Sequence, residues 1–306
     1  MPVTITYDVV HHIYWENRVA LDLFFGGTGV GLFLSAFWLT WHNRREHRSL
    51  IRAGIIIAPF LVMLGLIFLL SELGQPFRIY ELLIHPQATS VLAWGSWLQG
   101  LFLVFSLIYA WQWWRAKEGN ESTETDMLSG SRRWIGWIAA LLSLAIGVYH
   151  GFLLSVNYGR ALWQTPETTI TSVLLFLITG LAALSLLGTF TGLQEGRWMR
   201  IRNLLTPLSV ILWITLGNWL LWIAVYGHGT RDTREAASLL MIDSGWLFWG
   251  VALTLGLVIP ALGLGWLRRR KNVSMLWVRI LLLAVLAGGY ASRFLILYVG
   301  QLQPLT

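Results

Sequence analysis

Residues 50–71 read LIRAGIIIAPFLVMLGLIFLLS, a run whose single charge, Arg52, lies near its start. A hydrocarbon layer about 30 Å thick takes about 20 apolar residues of helix to cross, so this run is long enough. Working outward, seven more runs share its character, at roughly 19–41, 91–114, 133–157, 169–191, 204–226, 244–267 and 275–299. Their length and their leucine, alanine and glycine content suit helices, whereas barrel strands would alternate polar and apolar residues. The rest of the composition agrees. Of 306 residues, 56% are hydrophobic and 12% charged, about half the charged share of a soluble protein. The expectation is an all-α membrane protein with eight transmembrane helices, a single polytopic membrane domain over residues 1–306. This excludes a secreted enzyme, a dinucleotide-binding dehydrogenase and a nucleic-acid reader, despite the net charge of +7.

The basic residues set an orientation, because short cytoplasmic loops collect arginine and lysine. Arg44, Arg45, Arg48 and Arg52 lie between spans 1 and 2, and Arg115, Lys117, Arg132 and Arg133 between spans 3 and 4. Arg197, Arg200 and Arg202 follow span 5, and Arg268, Arg269, Arg270, Lys271 and Arg279 surround the last connection. These are sixteen of the 22 basic residues; the opposite side holds Arg18, Arg78, Arg160, Arg231 and Arg234, and Arg293 lies inside span 8. Both termini are therefore expected outside, in the periplasm of a Gram-negative cell, with the protein in the inner (cytoplasmic) membrane. The N-terminus to Asn17 lacks a basic start followed by an apolar stretch, so the first span is expected to direct insertion.

The connections differ in character. Residues 118–131 are polar and acidic and read as a solvated linker. On the outward side, 72–90 and 157–169 are apolar, aromatic and punctuated by proline. They either anchor at the interface through their aromatics or pack against the bundle rim or a partner protein. With no cysteine in the sequence, disulfides, iron–sulfur ligation and thiol catalysis are excluded. Of the seven histidines only His150 lies well inside a span, which argues against a haem held by two histidines.

Ionisable groups inside a bilayer are costly and need a partner or a task. Asp22 either pairs with Arg18 one turn away or lines a polar pocket. Glu72, at the end of span 2, is either a helix-end residue among headgroups or a proton-exchanging carboxylate at a pocket mouth. Tyr149 and His150 are either an aromatic-belt residue and a helix–helix contact, or donors to a quinone carbonyl and proton carriers. Arg293 is expected to face the interior, where it meets an acid or carbonyls or forms part of a proton or anion path. Asn218 reads as interhelical glue, and Gly27-x-x-x-Gly31 as a close-packing helix face.

Several stretches together resemble a known family. Glu72-Leu-Gly-Gln-Pro-Phe-Arg78, His85-Pro-Gln-Ala-Thr-Ser90 and Trp94-Gly-Ser-Trp97 form the most specific block. Leu21 to Gly29, Tyr149-His-Gly151 with Asn157 and Arg160, and Arg293 to Gln301 extend it over nearly the whole sequence. The sequence resembles the polysulfide reductase-type, NrfD-like integral membrane subunits. The resemblance implies a haem-free and metal-free quinone-binding subunit of two four-helix bundles, helices 1–4 over about 19–157 and helices 5–8 over about 169–299. It implies menaquinone or ubiquinone as the cofactor in the membrane. The implied partners are a four-cluster ferredoxin-like iron–sulfur subunit and a molybdopterin catalytic subunit, acting on sulfur compounds in anaerobic respiration. Carried residue by residue, Tyr149 looks like the quinone-bonding tyrosine, with Asp22, His150, Asn17 and Arg160 around the quinone. Glu72, Asp22 and Arg293 then serve proton transfer, and Arg78, His85, Thr89 and Trp94 belong to the signature loop and partner docking. His85 to Ser90 is also a plausible capped start for span 3. Two other readings stay open: a proton-translocating subunit of the same family, with Arg293, Asp243 and Glu81 on a charge path, and a secondary transporter, for which paired broken helices would be the sign.

Overall fold

A computed structural model describes residues 15, 17–42, 44–84, 89–115, 130–156, 160–190, 197–270 and 273–302. These residues form helices and turns, with no strand among them. Eight helices are long and apolar enough to cross a membrane. They are α1 (Asn17–His42), α2 (Arg44–Glu72), α3 (Val91–Arg115) and α4 (Gly130–Ser155). The second half holds α5 (Pro166–Gly188), α6 (Arg197–Tyr226), α7 (Trp246–Leu267) and α8 (Met275–Leu302). The end of the bundle where α1 starts is called the upper end, and the end with the arginine-rich connections the lower end.

All eight expected spans are present. α2 and α6 begin six and seven residues before their apolar runs, in Arg44–Ser49 and Arg197–Asn203. Apolarity marks only the immersed part of a helix, and charged turns continue it into the interface. α7 is not a plain α-helix: Trp246–Val258 is wound as π-helix, as is the short Leu239–Asp243 segment before it, and Pro260, which has no N–H to donate, follows. α5 is well capped: Thr165 Oγ1 accepts from the Thr168 N–H at 3.2 Å, and Pro166 occupies the first turn.

Two rings of four helices result. α1, α2, α3 and α4 close one ring, α5, α6, α7 and α8 the other, and α1 joins them through α5 and α8. The glycines of α1 explain how one helix meets so many neighbours. A methyl group on Gly29 would lie 2.9 Å from the Ala58 carbonyl oxygen of α2. One on Gly31 would collide with the Phe176 carbonyl of α5, where Gly180 packs back onto Gly31. One on Gly27 would strike the Arg293 guanidinium of α8, and one on Gly26 would touch His150 of α4 at 3.4 Å. Small residues at these positions let backbones approach closely, the main source of packing between helices in lipid. In the second ring Gly256 and Gly288 play the same part between α7 and α8.

Two connections at the upper end behave differently. Leu162 and Trp163 are buried, and the Trp163 indole donates to the Ile296 carbonyl at 2.7 Å. Arg160 lies over the Trp163 ring at 5.2 Å and donates to the Gly300 carbonyl at 2.6 Å, while Trp15 stacks on Trp163. Gln301 holds Trp15 by both backbone groups, at 2.8 and 2.9 Å. Gly300 leaves the room that Trp163 fills. This connection therefore packs on the bundle rim. The other, with a 3-10 turn at Pro76–Arg78 and a short helix at Ile79–Ile84, leaves Phe77, Tyr80 and Ile84 exposed, Phe77 at 90%.

Gly31→Ala is expected to destabilise the protein by about 1–3 kcal/mol, the usual cost of overpacking a tight contact. Gly265→Ala, at a position with open space around it, is expected to be neutral or mildly stabilising. Thermal unfolding of the two variants in the same detergent checks the contrast.

Candidate functional site

An apolar cavity of about 220 Å³ opens in the upper half of the first ring. Leucines of α2 form one wall, α3 forms the second, and Asp22, Tyr149 and His150 form the polar end, with Gln99 beside them. Each polar residue sits where a neighbouring helix leaves space. The Tyr149 ring lies against Gly95, where a methyl group would overlap its hydroxyl. A methyl group on Gly65 would stand 3.0 Å from Asp22 Oδ1. Gly26 and Gly27 receive His150 and Arg293.

Asp22, His150 and Arg293 are buried, each below 5% exposure. Asp22 Oδ1, both ring nitrogens of His150, and Nε and Nη2 of Arg293 have no hydrogen-bond partner among the described residues. Thr28 Oγ1 and Ser292 Oγ, on the same two helices as Asp22 and Arg293, share that state. Asp22 is within electrostatic reach of both Arg293 and Tyr149, and Arg293 of His150. Buried polar groups are ordinarily paired. A cluster of unpaired ones bordering a cavity is what a polar ligand group would satisfy.

The remaining candidates lie elsewhere. Arg18 turns outward, donating to the Ser71 carbonyl at 2.9 Å and lying 3.7 Å from Glu72 Oε2. The Arg18–Asp22 pair considered from the sequence is thus replaced by an Arg18–Glu72 pair, because Asp22 faces inward while Arg18 faces out. Glu72 stands at the rim beside the wall residue Leu73 and does not line the cavity. Asn17 accepts from the Tyr290 hydroxyl of α8. Arg160 is engaged with Gly300 and Trp163 at the rim, away from the cavity lining. Thr89 and Trp94 are exposed near the upper end of α3. His85, Asn157 and the Arg78 side chain lie outside the described residues. Ser90 Oγ accepts from the Ala93 N–H at 3.3 Å, so the signature block does start α3 with a cap. Asp243 is exposed, and Glu81 sits half-buried in the short upper helix.

Two polar features were not singled out from the sequence. Gln99 is an amide within an apolar run, a visible signal, and it is buried at the cavity. In the second ring the Tyr226 hydroxyl donates to Glu167 Oε2 at 2.5 Å. Asn218 bridges the same helices, donating to Thr171 Oγ1 at 2.7 Å and to the Glu167 carbonyl at 3.2 Å, the gluing role read from the sequence. No group of three histidine, aspartate or glutamate side chains converges as a metal site among the described residues.

Comparison with known proteins finds relatives that match most of the sequence. The profile of the family described as "Polysulphide reductase, NrfD" matches residues 8–305. A polysulfide reductase polypeptide of Wolinella succinogenes is 28% identical, over 94% of this protein and 95% of its own length. Protein NrfD of Escherichia coli is 27% identical, over 95% and 96%. A selenate reductase polypeptide of Mesobacillus selenatarsenatis is 22% identical, over 81% of this protein and 66% of its own length.

Arg293→Ala removes the buried cation within electrostatic reach of Asp22 and is expected to destabilise the protein by about 1–3 kcal/mol. Replacing both groups by neutral ones, Asp22→Asn with Arg293→Met, is expected to recover most of that loss. A double-mutant cycle on thermal unfolding in detergent measures the recovery.

Proposed function

Because the chain belongs to the NrfD family of polysulphide reductase subunits, we propose that it is the quinone-reactive membrane subunit of a multi-subunit oxidoreductase. The observation that carries this reading is the cavity, apolar along its walls and ending in Tyr149, His150 and Asp22. A quinone is an apolar ring bearing two carbonyl acceptors, and its reduction takes up two electrons and two protons. The site offers each part a match. Leucine walls hold the ring, Tyr149 donates to one carbonyl, and His150 and Asp22 take or supply the protons. In the quinol-oxidising direction the two hydroxyl protons leave to His150 and Asp22 and the electrons leave through the upper face. The reverse direction uses the same groups. Menaquinone and ubiquinone both have this chemistry.

The electrons need an acceptor on another polypeptide, and a ferredoxin-like iron–sulfur subunit seated on the upper face fills that role. The exposed Phe77, Tyr80 and Ile84 of the connection between α2 and α3 support such docking, together with Arg78, His85, Thr89 and Trp94 of the signature block. Relatives named as parts of polysulfide and selenate reductases support a molybdopterin catalytic subunit beyond it, with sulfur compounds as the leading substrate class. Glu72, paired with Arg18 at the rim, exchanges protons between Asp22 and the aqueous phase, and Arg293 holds the Asp22 carboxylate by its charge. Asn17 and Arg160 fix the rim around the quinone site. The arginine-rich lower end faces the cytoplasm, which puts the cavity end on the periplasmic side of the inner membrane.

Tyr149→Phe is expected to lower quinone-linked turnover about tenfold, the worth of one strengthened hydrogen bond. Asp22→Asn is expected to lower it about a hundredfold, as for a lost proton carrier. Turnover of the same complexes with a reduced viologen, which feeds the catalytic partner directly, is expected to hold. Equal loss with both donors would reject the site. Orientation is checked separately. The sequence has no cysteine, so Gly74→Cys and Lys117→Cys each carry one thiol. Only the first is expected to react with a membrane-impermeant maleimide applied from the periplasmic side.

A further inference from the structure

The cavity's volume, about 220 Å³, falls below the ~300 Å³ at which sites for drug-sized ligands begin. It holds a headgroup ring and excludes a long isoprenoid tail. The tail must leave, and the walls show where. On α2, Leu66 and Leu70 keep side chains along the groove. On α3, Leu92, Ser96 and Gly100 stand four residues apart on one stripe, so their bulk falls with depth from leucine to serine to nothing. Gly100 lines the cavity and is exposed at the outer surface of the bundle, and a methyl group built on it meets no atom within 4 Å. It thus stands both on the cavity lining and on the outer surface of the bundle.

The depth of the opening fits the ligand. Gly100 lies nine residues into α3, about 13 Å from its upper end. That is close to halfway through a hydrocarbon layer of ~30 Å. Gly95, which abuts Tyr149, is about 7 Å nearer the upper end. The headgroup end is therefore above and the opening below it, toward the middle of the bilayer, where polyisoprenoid chains lie.

Resting on the quinone reading above, we propose that Gly100 is a specificity-determining residue: it forms a lateral portal between α2 and α3 through which the isoprenoid tail of the quinone extends into lipid. A side chain at this position narrows the portal without disturbing the polar end, and a helix gains propensity when glycine is replaced by leucine or alanine. Gly100→Ala therefore has no steric reason to misfold, and it serves as the folded control for Gly100→Leu.

The test compares the complete complex in its membranes with Gly100→Ala and Gly100→Leu, using two quinols: one with a long isoprenoid tail and the tailless ring of the same class. The readout is the ratio of KM for the tailed to KM for the tailless quinol. Gly100→Leu is expected to raise this ratio about tenfold, a differential loss of ground-state and transition-state binding alike, and Gly100→Ala to raise it less. An unchanged ratio with the quinol reaction intact would overturn the portal and leave the quinone site standing. Failure of the unaltered complex to react with either quinol, while its viologen reaction persists, would overturn both.

Discussion

The architecture depends on one backbone-level constraint: a helix with no side chains where its neighbours must come closest. Gly26, Gly27, Gly29 and Gly31 fall within two turns of α1 and face four different helices, α4, α8, α2 and α5 in that order. In lipid, apolar side chains gain little by leaving solvent, since the solvent is itself apolar. Contact distance then decides how strongly helices associate. By being bare on several sides, α1 becomes a member of one ring and the joint to the other, and it is the most enclosed of the eight.

The same bareness makes the buried charges possible. Arg293 reaches over Gly27, and His150 settles against Gly26, because those positions leave volume for them. Packing glycines and polar residues are usually treated as separate features of a transmembrane helix. At Gly26 and Gly27 they are one feature, since each missing side chain there is the seat of a polar group from a neighbour, while Gly29 and Gly31 admit the neighbouring backbones. Gly95 repeats the device on α3 for Tyr149.

The sequence shows how deep a residue sits along a helix, and much less about which way it faces. Depth was enough to find the eight spans and to pick out Asp22, Tyr149 and His150 as interrupted apolarity near one end. It also put Asn17, Glu72 and Arg160 at the same level, and there direction mattered. Asn17 turns to Tyr290, Glu72 to Arg18, and Arg160 to Gly300, all on the rim. A hydropathy pattern cannot separate those three from Asp22, because rotation about the helix axis is set by packing against helices far away in sequence. Gln99 was visible as a polar interruption in its run. The cavity role of Gly95 was not, since a glycine carries no chemistry of its own. The π-winding of α7 likewise left no clear trace, as its residues are as apolar as those of any span.

The joining of α1 to α8 has a consequence for how the protein is made. α1 leaves the ribosome before α8, yet Asp22 on the former and Arg293 on the latter belong to one buried cluster. The rim is stitched in the same way, Trp15 to Gln301 and Trp163 to Ile296. Until the eighth helix enters the membrane, Asp22 is held in lipid with no guanidinium beside it and the upper rim is open. Maturation of the site therefore waits for the arrival of the eighth helix.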